Sequence, residues 1–588
     1  MGREPAQVVI KGGRLVNVNT GEIQPDMDVA ITHGRIAYVG PDASHTIGAD
    51  TQIIDAAGRY IAPGFMDGHI HIESSMLTVR EYTKAVVPRG TTTVFMDPHE
   101  IANVLGLSGI ELMIEESKLV PLRVFVAMPS CVPAAPGFED AGATIGPEEI
   151  REAMQWEEVV GLGEMMNFPG VIYGDAAMHA ELQATLEANK TITGHFSLPE
   201  TGKSLVAYAA AGIRCDHESV RMEDALAKMR LGMYAQFREG SAWHDVKETA
   251  RSITEHNIDT RFATLISDDT HPHTLIEQGH LDHIVRRAIE EGINPITAIQ
   301  MVTINVAECF GMSRDLGSVS PGRWADILLL SDLSRVQVDK VLINGELVAE
   351  QGRMLIELPE FIYPEFARRS VNLPAELMPV DFAIPTSHAG ATSVIARVMQ
   401  IIEAKVGTIS KQAVLAVDDG FVQPDIEQDI AKVAVVERHH RTGTIGLGFV
   451  QGFGLQGGAV ASTVAHDSHN LLIVGTNDDD MALAGNKLAE VGGGMIVVRD
   501  GQVLALLPLP IAGLMSDQPL EEVAAAVAEL DKAWKELGCD LVSPFMTMAL
   551  LALAVLPELR LTNRGLVDTV NFEFVDLIVA EHFEQVQV

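Results

Sequence analysis

At 588 residues the chain is longer than one ordinary hydrophobic core organises, so several domains are expected, and 47% hydrophobic content fits a well-buried globular homo-oligomer, a homodimer or larger. The formal charge of −38, from 42 Lys+Arg against 80 Asp+Glu, excludes a nucleic-acid partner, because phosphates require a basic face. No apolar run approaches the roughly 20 charge-free residues that span a bilayer. Met1-Gly2-Arg3-Glu4 opens no signal-peptide core, and the four cysteines form no Cys-x-x-Cys pair, so the expected setting is cytoplasmic with no membrane contact.

In chain order, residues 5–62 hold short apolar runs at 8–10, 14–18, 28–31, 35–40 and 52–55, separated by Gly12-Gly13 and Asn19-Thr20-Gly21 breaks. Similar runs return at 325–330 and 341–348, so 1–62 and 313–374 are expected to pair as one small β-sandwich domain that the intervening segment interrupts. Within 63–312, eight apolar runs alternate with helical patterns such as 148–156 and 281–291: the run ending in His71, then 93–96, 122–127, 159–163, 191–194, 212–215, 233–237 and 262–266. About 250 residues of repeated strand and helix is the size of an α/β fold of the (β/α)8 barrel type. The Pro-rich stretch 373–385 reads as a linker, and 375–588 as a C-terminal α+β domain with a helix over 481–494. The glycines of 443–458 read as turns, since no Gly-x-x-x-x-Gly-Lys-Ser/Thr is present.

A barrel presents its chemistry at the C-terminal ends of its strands. Strand one ends in His69-Ile70-His71, whose i and i+2 side chains share one side. Strand two is followed by Asp97-Pro98-His99-Glu100, strand three by Ser130 and strand four by Glu164. Strand five leads to His195, strand six to Asp216-His217-Glu218, strand seven to Arg238-Glu239, and strand eight to Ser267-Asp268-Asp269. Each residue alone has an ordinary explanation: a histidine can be a hydrogen-bonded core residue, and Glu164 or Asp268 a helix cap. Their shared position on strands one, four, five, six and eight argues for a site instead. His69, His71, Glu164, His195, His217 and Asp268 have the ligand chemistry of two divalent ions, zinc, iron or manganese, and Asp268 is the candidate proton acceptor. Asp97, Glu100 and Asp269 are further candidates to bind or support those ions, and Glu73, Arg89 and Ser130 to meet a substrate. His466-Asp467-Ser468-His469-Asn470 is either a polar turn or a loop closing the barrel mouth, with His466, Asp467 and His469 its candidate side chains.

The motif Pro63-Gly64-Phe65-Met66-Asp67-Gly68-His69-Ile70-His71, with His195, His217, Asp268 and Ser320-Pro321-Gly322-Arg323-Trp324-Ala325-Asp326-Ile327, resembles the amidohydrolase superfamily. Ile72-Glu73-Ser74-Ser75-Met76, Met96-Asp97-Pro98-His99-Glu100, Gly163-Glu164-Met165-Met166-Asn167, Val464-Ala465-His466-Asp467-Ser468-His469-Asn470 and 507–516 narrow the resemblance to its adenine deaminase family over nearly the whole chain. The resemblance implies hydrolysis of adenine to hypoxanthine and ammonia at a two-metal centre, with manganese or iron foremost and zinc next. Strand four carries Glu164 where many relatives carry a carboxylated lysine, which counts against hydantoinase-type opening of a cyclic amide, the alternative reading beside deamination of another purine. Glu164 either bridges the ions or protonates the ring; in the second case Glu100 or Asp97 becomes the bridge.

Overall fold

The computed structural model describes residues 2–403 and 405–583, so the ends of the expected first and last domains at residues 1 and 584–588, and residue 404, lie outside the described residues. The chain divides into two compact units: Met1–Pro98 with Glu111–Ser130 and Gly146–Phe361, and His99–Ile110 with Cys131–Ile145 and Ile362–Val588. Among the described residues no helix is long and apolar enough to cross a membrane. Cys131, Cys215, Cys309 and Cys539 are buried and form no disulfide.

In the first unit, strands from both ends of the barrel segment join one nine-stranded sheet. The seam is Ile327–Asp332 lying antiparallel to Tyr60–Pro63, with Ile327 opposite Pro63 and Leu330 opposite Tyr60. Alternate residues such as Val29 and Ile31, or Ile327 and Leu329, turn into one apolar core, as a period of two dictates.

The barrel strands are Phe65–His71, Thr91–Met96, Arg123–Met128, Val159–Met165, Thr191–Gly194, Cys215–Asp216, Tyr234–Arg238 and Ala263–Ile266, each parallel to the next. Most are buried nearly end to end because helices cover their outer faces, hence apolar runs rather than alternation. Helix Leu281–Glu290 buries Leu281, Ile284, Val285 and Ala288, a 3.6-residue stripe, and Arg287 on its other face pairs with Glu290 and Glu291. Closure depends on a break: after Ile266 the chain skips Ser267 and resumes as Asp268–Asp269, which pairs with strand one, Asp268 opposite Ile70 and Asp269 opposite His71. The eighth strand therefore binds strand seven with its first half and strand one with its second.

The second unit is built on a ten-stranded sheet with helices Asp478–Val491 and Leu520–Glu536. Asn477 caps the former by accepting from the Asp480 N–H, and Gly492 ends it in the left-handed conformation. Two expectations are corrected here. The stretch 373–385 is no plain linker: it contains the turn Pro379–Phe382 and places Leu377 and Phe382 in the core under helix Asp478–Val491. Nor is 443–458 only turns, since Ile445–Gln451 is a strand; Gly446 permits it, because a Cβ there would meet the Thr562 carbonyl oxygen at 1.9 Å. Residues 99–110 and 131–145 also belong to this unit, although the alternation of strands and helices assigns them to the barrel segment.

Candidate metal centre

Strand one presents His69 and His71 with ring centroids 4.7 Å apart, and the His69 ring stacks on His217 at 4.2 Å. Glu164 lies among the imidazoles: Oε1 is 3.4 Å from His71 Nε2, and Oε2 is 3.2 Å from His217 Nε2 and hydrogen-bonded by His195 Nδ1. Asp268 faces strand one, its Oδ1 3.4 Å from His69 Nε2 and 3.2 Å from His71 Nε2. Five of the six residues come together in two overlapping groups, His69/Glu164/His217 and His69/His71/Asp268, and a third group joins the sixth, His195, to His217 and Glu218. Ligand atoms within each lie no more than 4.8 Å apart.

Hydrogen bonding prepares these rings to bind a cation. His71 Nδ1 is 2.8 Å from the Asp97 carbonyl, which fixes the proton there and turns the Nε2 lone pair toward the carboxylates. His69 Nε2 is buried without a hydrogen-bond partner. A buried unpartnered nitrogen beside two carboxylates and three more imidazoles is the chemistry of a divalent-ion site, and this donor set fits one.

The electrostatics agree. Burial alone would raise the Glu164 carboxyl, but His195 and His217 outweigh it and hold Glu164 well below the usual range. Burial would likewise raise Asp268, and the adjacent His69 and His71 with the charges of His217 and Arg238 bring it well down. Burial lowers His195, yet Glu164 and Glu218 push it up to about 9. The carboxylates thus demand positive charge, which protons or bound cations can supply.

Supporting residues hold this geometry. Asp97 Oδ2 accepts the Glu164 N–H at 2.7 Å, and Gly163 is needed because a Cβ would meet that oxygen at 2.4 Å. Ser130 Oγ donates to the Glu164 carbonyl at 2.8 Å, so Ser130 secures the end of strand four. The break in strand eight is tied to strand one: Ser267 Oγ and N–H both donate to the fully buried Asp67, which also faces His280 Nε2 at 3.2 Å. Lys228 pairs with Asp216, whose oxygens accept the N–H groups of Phe196 at 2.6 Å and Glu218 at 3.0 Å, fixing the turns beside His195 and His217. Sequence reasoning passed over Asp67, Lys228, Glu218 and Arg238; the strand-end position of the last two was the signal available.

Not every candidate joins the site. Arg89 lies before strand two, at the end of the barrel opposite the histidines, and its guanidinium donates to the Ile276 carbonyl at 3.3 Å. This corrects its candidacy as a substrate contact. Glu73 is buried in the turn Ile72–Ser75 directly after His71, and Asp269 pairs with His71 in the sheet. Glu100 belongs to the second unit, where it gathers with His466 and His469; His466 Nδ1 is 3.7 Å from Glu100 Oε1 and 3.7 Å from Asp467 Oδ1. His469 Nδ1 accepts the Ala465 N–H at 3.2 Å, so the proton of its neutral ring sits on Nε2.

Comparison with known proteins meets this geometry. The amidohydrolase family profile matches residues 60–348, and that of the adenine deaminase C-terminal domain matches 405–573. An adenine deaminase of Moorella thermoacetica is 64% identical over 577 residues, 98% of this chain and 96% of the relative. One from Clostridium botulinum is 60% identical over 580 residues, covering 99% and 96%, and adenine deaminase 3 of Rhizobium meliloti is 50% identical over 98% and 97%. With relatives this similar along its whole length, the chain belongs to the adenine deaminase family.

Proposed function

We propose that the chain hydrolyses adenine to hypoxanthine and ammonia, using two divalent ions held by His69, His71, Glu164, His195, His217 and Asp268. The observation that carries this reading is the convergence of four imidazoles and two carboxylates at one end of the barrel, in a chain 60–64% identical to adenine deaminases over nearly its full length. Bound there, the ions would supply a water acidic enough to attack at neutral pH.

The chain's own groups do the rest. Both Glu164 oxygens are taken up by histidines, and those imidazoles favour its ionised form, which supports the role of a metal ligand over that of ring acid. Asp268 Oδ1 faces the metal side of His69 and His71, where it can take a proton from the attacking water and pass it to the departing amine. Imidazole and carboxylate ligands without thiolate suit manganese, iron or zinc, and the family resemblance favours the first two. The unpaired cysteines fit a cytoplasmic setting.

The test is to purify the protein with manganese supplied, count metals per chain, and measure ammonia release from adenine, adenosine, guanine and cytosine. Two ions per chain with turnover confined to adenine is the expected result. Turnover of another ring with none of adenine would overturn the reading.

A further inference from the structure

Arg238, the last residue of strand seven, is almost fully buried although it carries a permanent charge. Its Nη1 donates to Asp268 Oδ2 at 2.9 Å and to Glu218 Oε1 at 2.6 Å, while Nε donates to Asp245 Oδ2 at 2.9 Å. One guanidinium therefore ties the ends of strands six and eight to the turn before helix Val246–Thr249. The Trp243 ring lies 5.8 Å from the guanidinium carbon. Asp268 needs such an anchor, because it follows the break in strand eight and sits at φ +62°, where non-glycine residues are uncommon.

We propose that Arg238 is a positioning residue that divides the labour of Asp268, holding Oδ2 so that Oδ1 alone faces the ions and the attacking water. The guanidinium cannot lose its proton, so Oδ2 always receives a hydrogen bond and the lone pairs of Oδ1 stay directed at His69 and His71. Glu218 and Asp245 hold the guanidinium in turn, fixing its plane and thus the rotation of the Asp268 carboxylate. A lysine could supply the charge but not the fork that reaches three carboxylates at once. The inference rests on the proton-shuttling role given to Asp268 above.

The experiment compares the full-length manganese-loaded parent with Arg238→Ala and Arg238→Lys, reading metals per chain, KM and kcat separately, and recovery of kcat by added guanidinium ion. For Arg238→Ala we expect the metal count kept, KM within about threefold of the parent and kcat reduced by about 100-fold. Millimolar guanidinium should restore a measurable part of kcat, and sodium chloride at equal ionic strength should not. Arg238→Lys should keep metal and KM and lose at least about tenfold in kcat; it decides the matter if Arg238→Ala does not fold. Parental kcat in the variants, loss of metal in step with loss of turnover, or failure of guanidinium to restore a folded Arg238→Ala overturns the proposal. The parent is assayed first, and if it prefers a ring other than adenine the comparison is run on that ring, so a wrong substrate and a wrong role for Arg238 give different results.

Discussion

The two units each gather buried histidines around a carboxylate, and the two clusters differ in where the imidazole protons sit. In the barrel, the His71 Nδ1–H donates to the Asp97 carbonyl and the ring points a lone pair at Glu164 and Asp268. In the second unit, the Ala465 N–H donates to His469 Nδ1, so His469 presents an N–H at Nε2 and is a donor rather than a cation ligand. The barrel cluster has four imidazoles and two carboxylates, the second His466 and His469 with Glu100 and Asp467; the backbone group behind His71 and behind His469 decides which nitrogen of each ring keeps its lone pair.

The sharpest way to break this contrast is Glu164→Gln. Removing the charge between the histidines should drop metal content below two per chain and cut kcat by about 1000-fold or more, measured by metal analysis and ammonia release. Retained metal with collapsed turnover would return Glu164 to the role of ring acid. Asp268→Asn should act next most strongly, lowering kcat by about 100-fold with KM little changed, since an amide cannot take the water's proton.

A second pair of carboxylates sharpens the electrostatic side. Glu164 is buried among imidazoles and held low, whereas Glu181, in helix Ala176–Glu187, is buried without a cation and pushed up to about 8 by burial and then by Asp175. A carboxyl raised on folding binds its proton more tightly in the native state. Stability therefore falls as pH rises from about 4.5 to about 8, and by a few kcal/mol at most. Glu181→Gln should leave the melting temperature unchanged near pH 4 and raise it at pH 9, which thermal unfolding at the two pH values checks.

The smallest effect is expected from the second cluster. His469→Gln should leave the metal count at the parental value and lower stability by about 1 kcal/mol through the lost Ala465 contact. A fall in metal content would show that the second unit also binds a cation.

Much of the barrel site was legible because its signals are local. His69-Ile70-His71 places two rings on one side by the period of a strand, and His195, His217 and Asp268 each follow an apolar run. Arg89 was misjudged because the direction of strand two, which it precedes, puts it at the other end of the barrel from the histidines. The linker expected at 373–385 failed for a related reason: proline and polar residues mark turns, but Phe382 is held by a core made by residues far along the chain.

By itself the sequence determined the alternation of strand and helix, the ligand chemistry and the family, because period, residue type and motif are properties of neighbouring residues. Only the tertiary structure decided which imidazole nitrogen faces the carboxylates, that Asp67 clamps the break before Asp268 across 200 positions, and that Arg238 engages Asp268, Glu218 and Asp245 together. Those are hydrogen bonds between residues the chain separates and the closed barrel brings together, and their geometry exists only once strand eight has met strand one.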